Sequence, residues 1–350
     1  MATRYTRRHT LSALSFELQT RRGFLTTAAM ASAASMLGAP RVPAGDGALE
    51  TTTVRFGKGS LCAAPTYLTQ ELLAAEGFTD VQYQDLSKFS TADTGRAVSR
   101  GHVDFSQGYA SQFTQAIEAG EPVTLLAGIH VGCIELFANE GIRGITDLRG
   151  RSVGVQALGS TPHVLLTLIT AQLGLDPVRD IRWVTDPSVK PIERFVDGKI
   201  DAFLGFAPEP QELRARQIGH SILNTALDRP WSQYFCYMLA GNREYVRRCP
   251  VATKRVVRAF LKAADLCATE PKGAAQQLVN RGFTPRYDYA LQALRDIPYD
   301  KWREYEPEDT IRFYALRLRE VGFIKSTPQK ILSENSDWRF LEEVKRELKA

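Results

Sequence analysis

The sequence predicts an α/β protein built from two similar units and closed by a helical C-terminal region. Three observations predict it. A short pattern occurs twice, as VSRGHVDFSQGYAS (98–111) and FVDGKIDAFLGFAP (195–208), sharing apolar-x-x-G-x-[VI]-D-x3-G-[YF]-A. A longer echo precedes each copy: VRFGKGSLCAAPTYLTQELLAAEG (54–77) and SVGVQALGSTPHVLLTLITAQLG (152–174) both run strand, Gly-Ser turn, proline, apolar helix and closing glycine. After about residue 242, apolar residues recur at the three- and four-residue spacing of helices.

In chain order the first segment to explain is TRRGFLTTAAMASAASMLGA (20–39). Its apolar run, Gly23 to Ala39, has 17 residues, many of them Ala, Ser or Thr, where a spanning helix needs about 20 strongly apolar ones. The paired arginines ahead of it and the small residues Val42-Pro43-Ala44 behind it have the layout of a twin-arginine export signal over 1–44. Pro40 disfavours cutting after Ala39, and no cysteine follows to carry a lipid. The segment holds six of the 44 basic residues and one of the 39 acidic ones, so 38 of each remain beyond it. A body with no net charge gives no electrostatic case for nucleic acid or an anionic membrane surface.

The first unit occupies about 52 to 130. Each copy of the repeat reads as a helix end stopped by glycine, a buried strand opening at the Asp, and a Gly turn into the next helix. Strands are expected at 81–84 and, in the second unit (142 to 230), at 181–184. Strand–helix alternation calls for largely parallel sheets covered on both faces. CIELFANEG (133–141) and YFCYMLAGN (234–242) bracket the second unit and read as a paired crossover between units. REYVRRCPVATKRVVRAFLKAADLCAT, DTIRFYALRLREVGF and DWRFLEEVKREL follow as helices whose charges form solvated faces. The five cysteines, Cys62, Cys133, Cys236, Cys249 and Cys267, make no C-x-x-C pair and no zinc spacing; an oxidising compartment permits a disulfide, and an odd count leaves at least one thiol over.

Open parallel sheets bind ligands at the carboxyl ends of strands, where helices begin. The turns Gly59-Ser60-Leu61-Cys62, Gly108-Tyr109-Ala110-Ser111 and Gly159-Ser160-Thr161 take that position. Free N–H groups and helix dipoles there favour an oxyanion without a buried arginine, and Ser60, Ser111, Ser160 and Thr161 add hydroxyls. The same hydroxyls suit helix caps. Tyr109 and Phe206, equivalent in the repeats, serve as cleft walls or as core. His163 is a surface residue or a contact, and Glu209 meets an amine or guanidinium or merely favours a helix first turn.

The G-x-[VI]-D-x3-G pattern at 101–108, ELFANEGIRGITDLRGRSVGVQALGSTPHVLL, DGKIDAFLGFAPEPQEL and YMLAGNREYV resemble the periplasmic solute-binding proteins of ABC importers, of the nitrate, sulfonate and taurine type, a superfamily shared with binders of thiamine pyrimidine precursors. The resemblance covers about 52 to 345. It implies a periplasmic-binding-protein-like fold of type II: lobe I from 45–132 and 242–350 with the C-terminal helices, lobe II from 142–233, and a two-strand hinge at 133–141 and 234–241. It also implies a small anionic solute held between the lobes by Ser60, Cys62, Gly108, Tyr109, Ala110, Ser111, Ser160, Thr161, Phe206 and Glu209, and an ABC permease with its ATPase as partners of a monomer. No cofactor or metal is expected. Fungal members of the superfamily make the thiamine pyrimidine with a cysteine-rich segment, which this chain lacks; G-x-S-x-G, H-E-x-x-H, a Walker loop and a dinucleotide fingerprint are also missing. A sensor module of the same fold would share the cleft and differ by its partner.

Overall fold

The structure, a computed structural model, describes residues 46–86 and 94–349. The signal expected over 1–44 lies outside the described residues. The first half runs β1 (Thr53–Gly57), α1 (Ala64–Ala75), β2 (Asp80–Gln84), α2 (Thr94–Ser99), β3 (Phe105–Tyr109), α3 (Ala110–Glu118) and β4 (Val123–Val131). The second runs β5 (Ile134–Ala138), β6 (Ser152–Val155), α4 (Thr161–Gln172), β7 (Arg182–Thr185), α5 (Pro191–Val196), β8 (Ala202–Phe206), α6 (Glu209–Arg216) and β9 (His220–Asn224). There follow β10 (Phe235–Asn242), α7 (Arg243–Arg248), α8 (Pro250–Thr269), α9 (Pro271–Asn280), α10 (Tyr287–Asp296), α11 (Pro307–Glu320), α12 (Pro328–Ser333) and α13 (Arg339–Glu347).

Two five-stranded sheets result, ordered β2-β1-β3-β10-β4 and β7-β6-β8-β5-β9. The repeat read from the sequence is thus a structural repeat: β1, β3 and β4 take the places in the first sheet that β6, β8 and β9 take in the second. Each sheet is parallel except for one strand, β10 in the first and β5 in the second. Each of these strands comes just after a passage between sheets: β5 follows β4 of the first sheet, and β10 follows β9 of the second. The two bracketing segments therefore do not pair with each other, as the sequence reading had it. Cys133–Gly141 contains β5, inside the second sheet, and Tyr234–Asn242 contains β10, inside the first. The chain passes between sheets through Gly132–Cys133 and through 225–234.

The two passages are packed together. Gly132 has φ +38°, and a Cβ there would fall 2.3 Å from the backbone nitrogen of Ala226, so only glycine fits. Thr225 fastens them further: its N–H donates to the Ile134 carbonyl at 3.0 Å, and its hydroxyl accepts the Ile134 N–H at 3.2 Å. The C-terminal helices back this region, with Tyr234 stacked on Phe313 of α11 at 4.0 Å and the Phe235 N–H donating to Thr310 at 3.0 Å.

The repeat's aspartates explain its spacing. Asp104 accepts the Arg55 N–H at 2.7 Å while its own N–H donates to the Arg55 carbonyl at 2.8 Å. Asp201 does the same to Ser152, at 2.8 Å in both directions, and each pair is 49 residues apart. These carboxylates fasten the first strand of each unit to the third.

The first lobe's core is aromatic, with Phe56 on β1 meeting Phe105 at 6.1 Å and Phe260 of α8 at 5.3 Å. Each such ring contributes about 1.5–3 kcal/mol on burial. The helix expected over 243–269 is two helices, because Pro250 lacks an N–H to continue α7 and instead opens α8 at its first turn. The charges of the C-terminal helices are also not all solvated. Arg258 is 1% exposed and pairs with Asp46 at 2.5 Å, Glu76 at 2.6 Å and Glu347 at 2.8 Å, tying α8 to α1, α13 and the start of the described chain. No helix among the described residues is long and apolar enough to cross a membrane.

Candidate functional site

The carboxyl ends of β1, β3, β6 and β8 face one cleft of about 720 Å³, lined from both lobes. The helices α3, α4 and α6 begin at its edge, as the βα order of each unit requires. The turn after β1 is held by Tyr67, whose hydroxyl accepts the Gly59 N–H at 2.9 Å and donates to the Gly59 carbonyl.

Of the residues named from the sequence, Ser60, Gly108, Tyr109, Thr161, Phe206 and Glu209 line the cleft. Four do not. The side chains of Cys62, Ala110 and Ser111 are turned into the core and fully buried, because the first turns of these helices are packed on more than one side. The Ser160 hydroxyl donates to the Ala157 carbonyl at 2.6 Å and so closes its own turn. Neither Ser60 nor Ser160, though each precedes a helical turn, makes a side-chain cap bond. His163 stands behind the cleft wall: it accepts the Gly159 N–H at 3.0 Å and sets its ring edge to face on Trp183 at 4.7 Å.

Sequence reasoning missed Gln107, Gln112, Lys58, Lys190 and Tyr237, all of which line the cleft. Gln107 lies within the x3 of the repeat and Gln112 in the first turn of α3, so position in the repeat was the available signal. Gln107 donates to Thr66 at 2.6 Å, and Gln112 accepts the Tyr109 N–H at 3.3 Å. Their remaining atoms, Gln107 Oε1 and Gln112 Nε2, are buried without a partner, as is Thr161 Oγ1. Buried polar groups are almost always satisfied, so three orphans among the residues lining one cleft, two from the first lobe and one from the second, suit it to a polar ligand.

The profile of the family described as NMT1/THI5 like matches residues 80–274, more than half of the chain. The chain belongs to this family. No curated protein sequence matches it. Solved structures show the same fold. The periplasmic nitrate-binding protein NrtA from Synechocystis PCC 6803 superposes with TM-score 0.71 at 16% identity, covering 86% of this chain and 90% of its own. The alkanesulfonate-binding protein SsuA from Xanthomonas axonopodis pv. citri, bound to MOPS, gives 0.65 at 17%, covering 80% and 96%. The periplasmic aliphatic sulphonate binding protein SsuA from Escherichia coli gives 0.65 at 18%, covering 81% and 92%. The fold is that of the periplasmic binding proteins, in two α/β lobes.

In this NMT1/THI5-like cleft the charged lining residues are Lys58, Lys190, Asp85 and Glu209. Burial pushes the Glu209 carboxyl up to about 7, only partly offset by the Phe206 N–H that it accepts at 3.1 Å and by Lys190. Near neutral pH Glu209 is therefore a donor as well as an acceptor. The aromatic side is formed by Tyr109, Phe206 and Tyr237, with Tyr109 edge to face on Tyr237 at 4.5 Å. Burial raises both phenols well above the usual tyrosine range, so they act as neutral hydroxyls. Behind them His130, wholly buried, stacks on Tyr237 at 4.8 Å, and burial lowers its pKa to about 4. Among the described residues no group of three or more His, Cys, Asp or Glu side chains is placed to hold a metal ion.

Proposed function

We propose that this protein is the solute-binding component of an ABC importer, capturing a small organic solute with an anionic group in the interlobe cleft. The observation that carries this reading is the cleft itself: three orphaned buried polar atoms, of Gln107, Gln112 and Thr161, lie beside helix N-termini and two lysines. The aromatic walls take the organic part of the solute, in keeping with a volume far above that of an inorganic ion. Lobe closure around the solute, driven by contacts made only in the closed form, presents a matched surface to the permease and its ATPase. The protein binds without chemical turnover, acts in the periplasm as a monomer, and reaches it through the twin-arginine-type signal over 1–44, cut after Ala44.

Glu209 favours a second reading, a heteroaromatic solute such as a pyrimidine, whose ring N–H or amino group the carboxyl would accept while the aromatic side of the cleft takes its ring. A thermal-shift screen of the purified protein against alkane- and arylsulfonates, taurine, nitrate, aromatic carboxylates and pyrimidines separates the two. A ligand at 100 times its Kd adds about 2.7 kcal/mol, or about 4–8 °C in melting temperature. A saturable shift with one anion class supports the first reading and names the solute. A response confined to pyrimidines or amines replaces it with the second, and chemical conversion of the compound that binds overturns both.

A further inference from the structure

We infer that Cys133 and Cys236 form a disulfide that staples together the two passages between the lobes. Their Sγ atoms lie 3.5 Å apart, buried, and the two residues are 103 positions apart in the chain. Cys133 belongs to the two-residue passage after β4, and Cys236 to the start of β10, where the second passage ends. A disulfide needs about 2.05 Å between sulfurs, so the closing movement is about 1.5 Å. A void of about 10 Å³, lined by Gly132, Cys236 and Tyr314 among others, borders Cys236 and leaves that side chain room to move.

The reaction is thiol–disulfide exchange. A thiolate of the pair attacks the disulfide of an oxidant, such as oxidised glutathione or a disulfide-carrying exported oxidoreductase, and releases one oxidant thiol. The second cysteine then displaces the mixed disulfide, and the oxidant leaves as its second thiol, having taken up the two electrons and two protons of the cysteine pair. Because both sulfurs are buried, exchange needs the two passages to open locally or the chain to be unfolded. Cys62 is the internal competitor, since its thiol lies against Cys133 and that neighbour lowers its pKa. Position decides against it. Cys62 stands in the turn before α1, whereas Cys236 stands on the strand that pairs with β4.

The test is oxidative refolding of the full chain in a glutathione redox buffer, followed by alkylation and peptide mapping. The expected result is a linked peptide holding Cys133 and Cys236, an intact mass lower by two hydrogens, and alkylation of Cys62, Cys249 and Cys267. Reduction should then lower the melting temperature by about 4–8 °C. The Cys62→Ala variant must still form the link, and Cys236→Ser must lose it. Alkylation of both Cys133 and Cys236 after oxidative refolding, or a dominant Cys62–Cys133 peptide, overturns the assignment.

Discussion

Tyr109 and Phe206, which hold the same position in the two copies of the repeat, meet ring to ring at 5.5 Å across the cleft. Each comes from the last residue of its strand, so the internal symmetry of the chain brings like side chains together between the lobes. A tilted pair at this distance is worth about 0.5–1.5 kcal/mol beyond its buried area. A double-mutant cycle of Tyr109→Ala and Phe206→Ala in urea should return a coupling of that size. Additive effects would show that the rings pack independently.

Asp104 and Asp201 carry the same duty in their sheets, and their loss should be felt in folding. Asp201→Ala orphans the N–H and hydroxyl of Ser152 and should cost about 1–3 kcal/mol, while Asp197→Ala, at an exposed ion pair with Lys199, should stay within about 0.5 kcal/mol. Burial works to raise the Asp201 carboxyl, but the Ser152 hydrogen bonds outweigh it and hold it below the usual 3.8. A depressed acid stabilises fully above its unfolded pKa and loses that contribution as pH falls through the folded value. Denaturation midpoints taken between pH 5 and 2 should therefore fall less steeply in Asp201→Asn than in the parent.

Two groups near the cleft pull the pH profile in opposite directions. His130, lowered by burial from 6.5 to about 4, binds fewer protons folded than unfolded, so its contribution is full above pH 6.5 and fades as pH drops to about 4. Glu209, raised from 4.5 to about 7, binds more protons when folded, so stability falls as pH climbs from 4.5 to about 7. The expected outcome for Glu209→Gln is higher stability at pH 8 with little change at pH 4, and hence a steeper rise in melting temperature with pH. His130→Phe, which keeps a ring against Tyr237, should tilt the profile the other way. Parallel profiles for all three proteins would mean that neither group titrates between these limits.

Arg214 joins α6 to two acids of unequal burial. It pairs with Glu135 on β5, 6% exposed, and with Asp296 at the end of α10, 32% exposed. Removing the arginine leaves Glu135 charged with little water, so Arg214→Ala should cost about 1–3 kcal/mol. Asp296→Ala removes a partly solvated partner and should cost less than about 1 kcal/mol. Glu135→Gln in the Arg214→Ala background should recover part of the loss. If urea midpoints rank the two single variants the other way, the anchor is the contact with α10.

Local pattern made the repeat legible. The Gly turn and the proline at the helix start are short-range devices, the Asp is marked by its fixed place in the repeat, and Asp104, Asp201, Gly108, Tyr109 and Phe206 all fall where the two copies of the pattern place them. The lining role of Ser60 and Thr161 was legible for the same reason, since a turn between strand and helix has few places to go. Cys62, Ala110 and Ser111 were misplaced because a helix rotates its residues by about 100° each; only packing decides which of them turns inward.

What the sequence by itself determined is therefore the order and kind of the elements: two α/β units, their turns, and most of the C-terminal helices. Only the tertiary structure decided that β5 and β10 each enter a sheet antiparallel to its other strands, that Arg258 is buried among acids rather than solvated, and that Gln107, Gln112 and Thr161 converge with unpartnered atoms on one cleft. The physical reason is range. Turn chemistry and periodicity act over a few residues, whereas the placing of β5 and β10, ion-cluster burial and a shared cleft depend on contacts between segments tens to hundreds of residues apart, which leave no local mark.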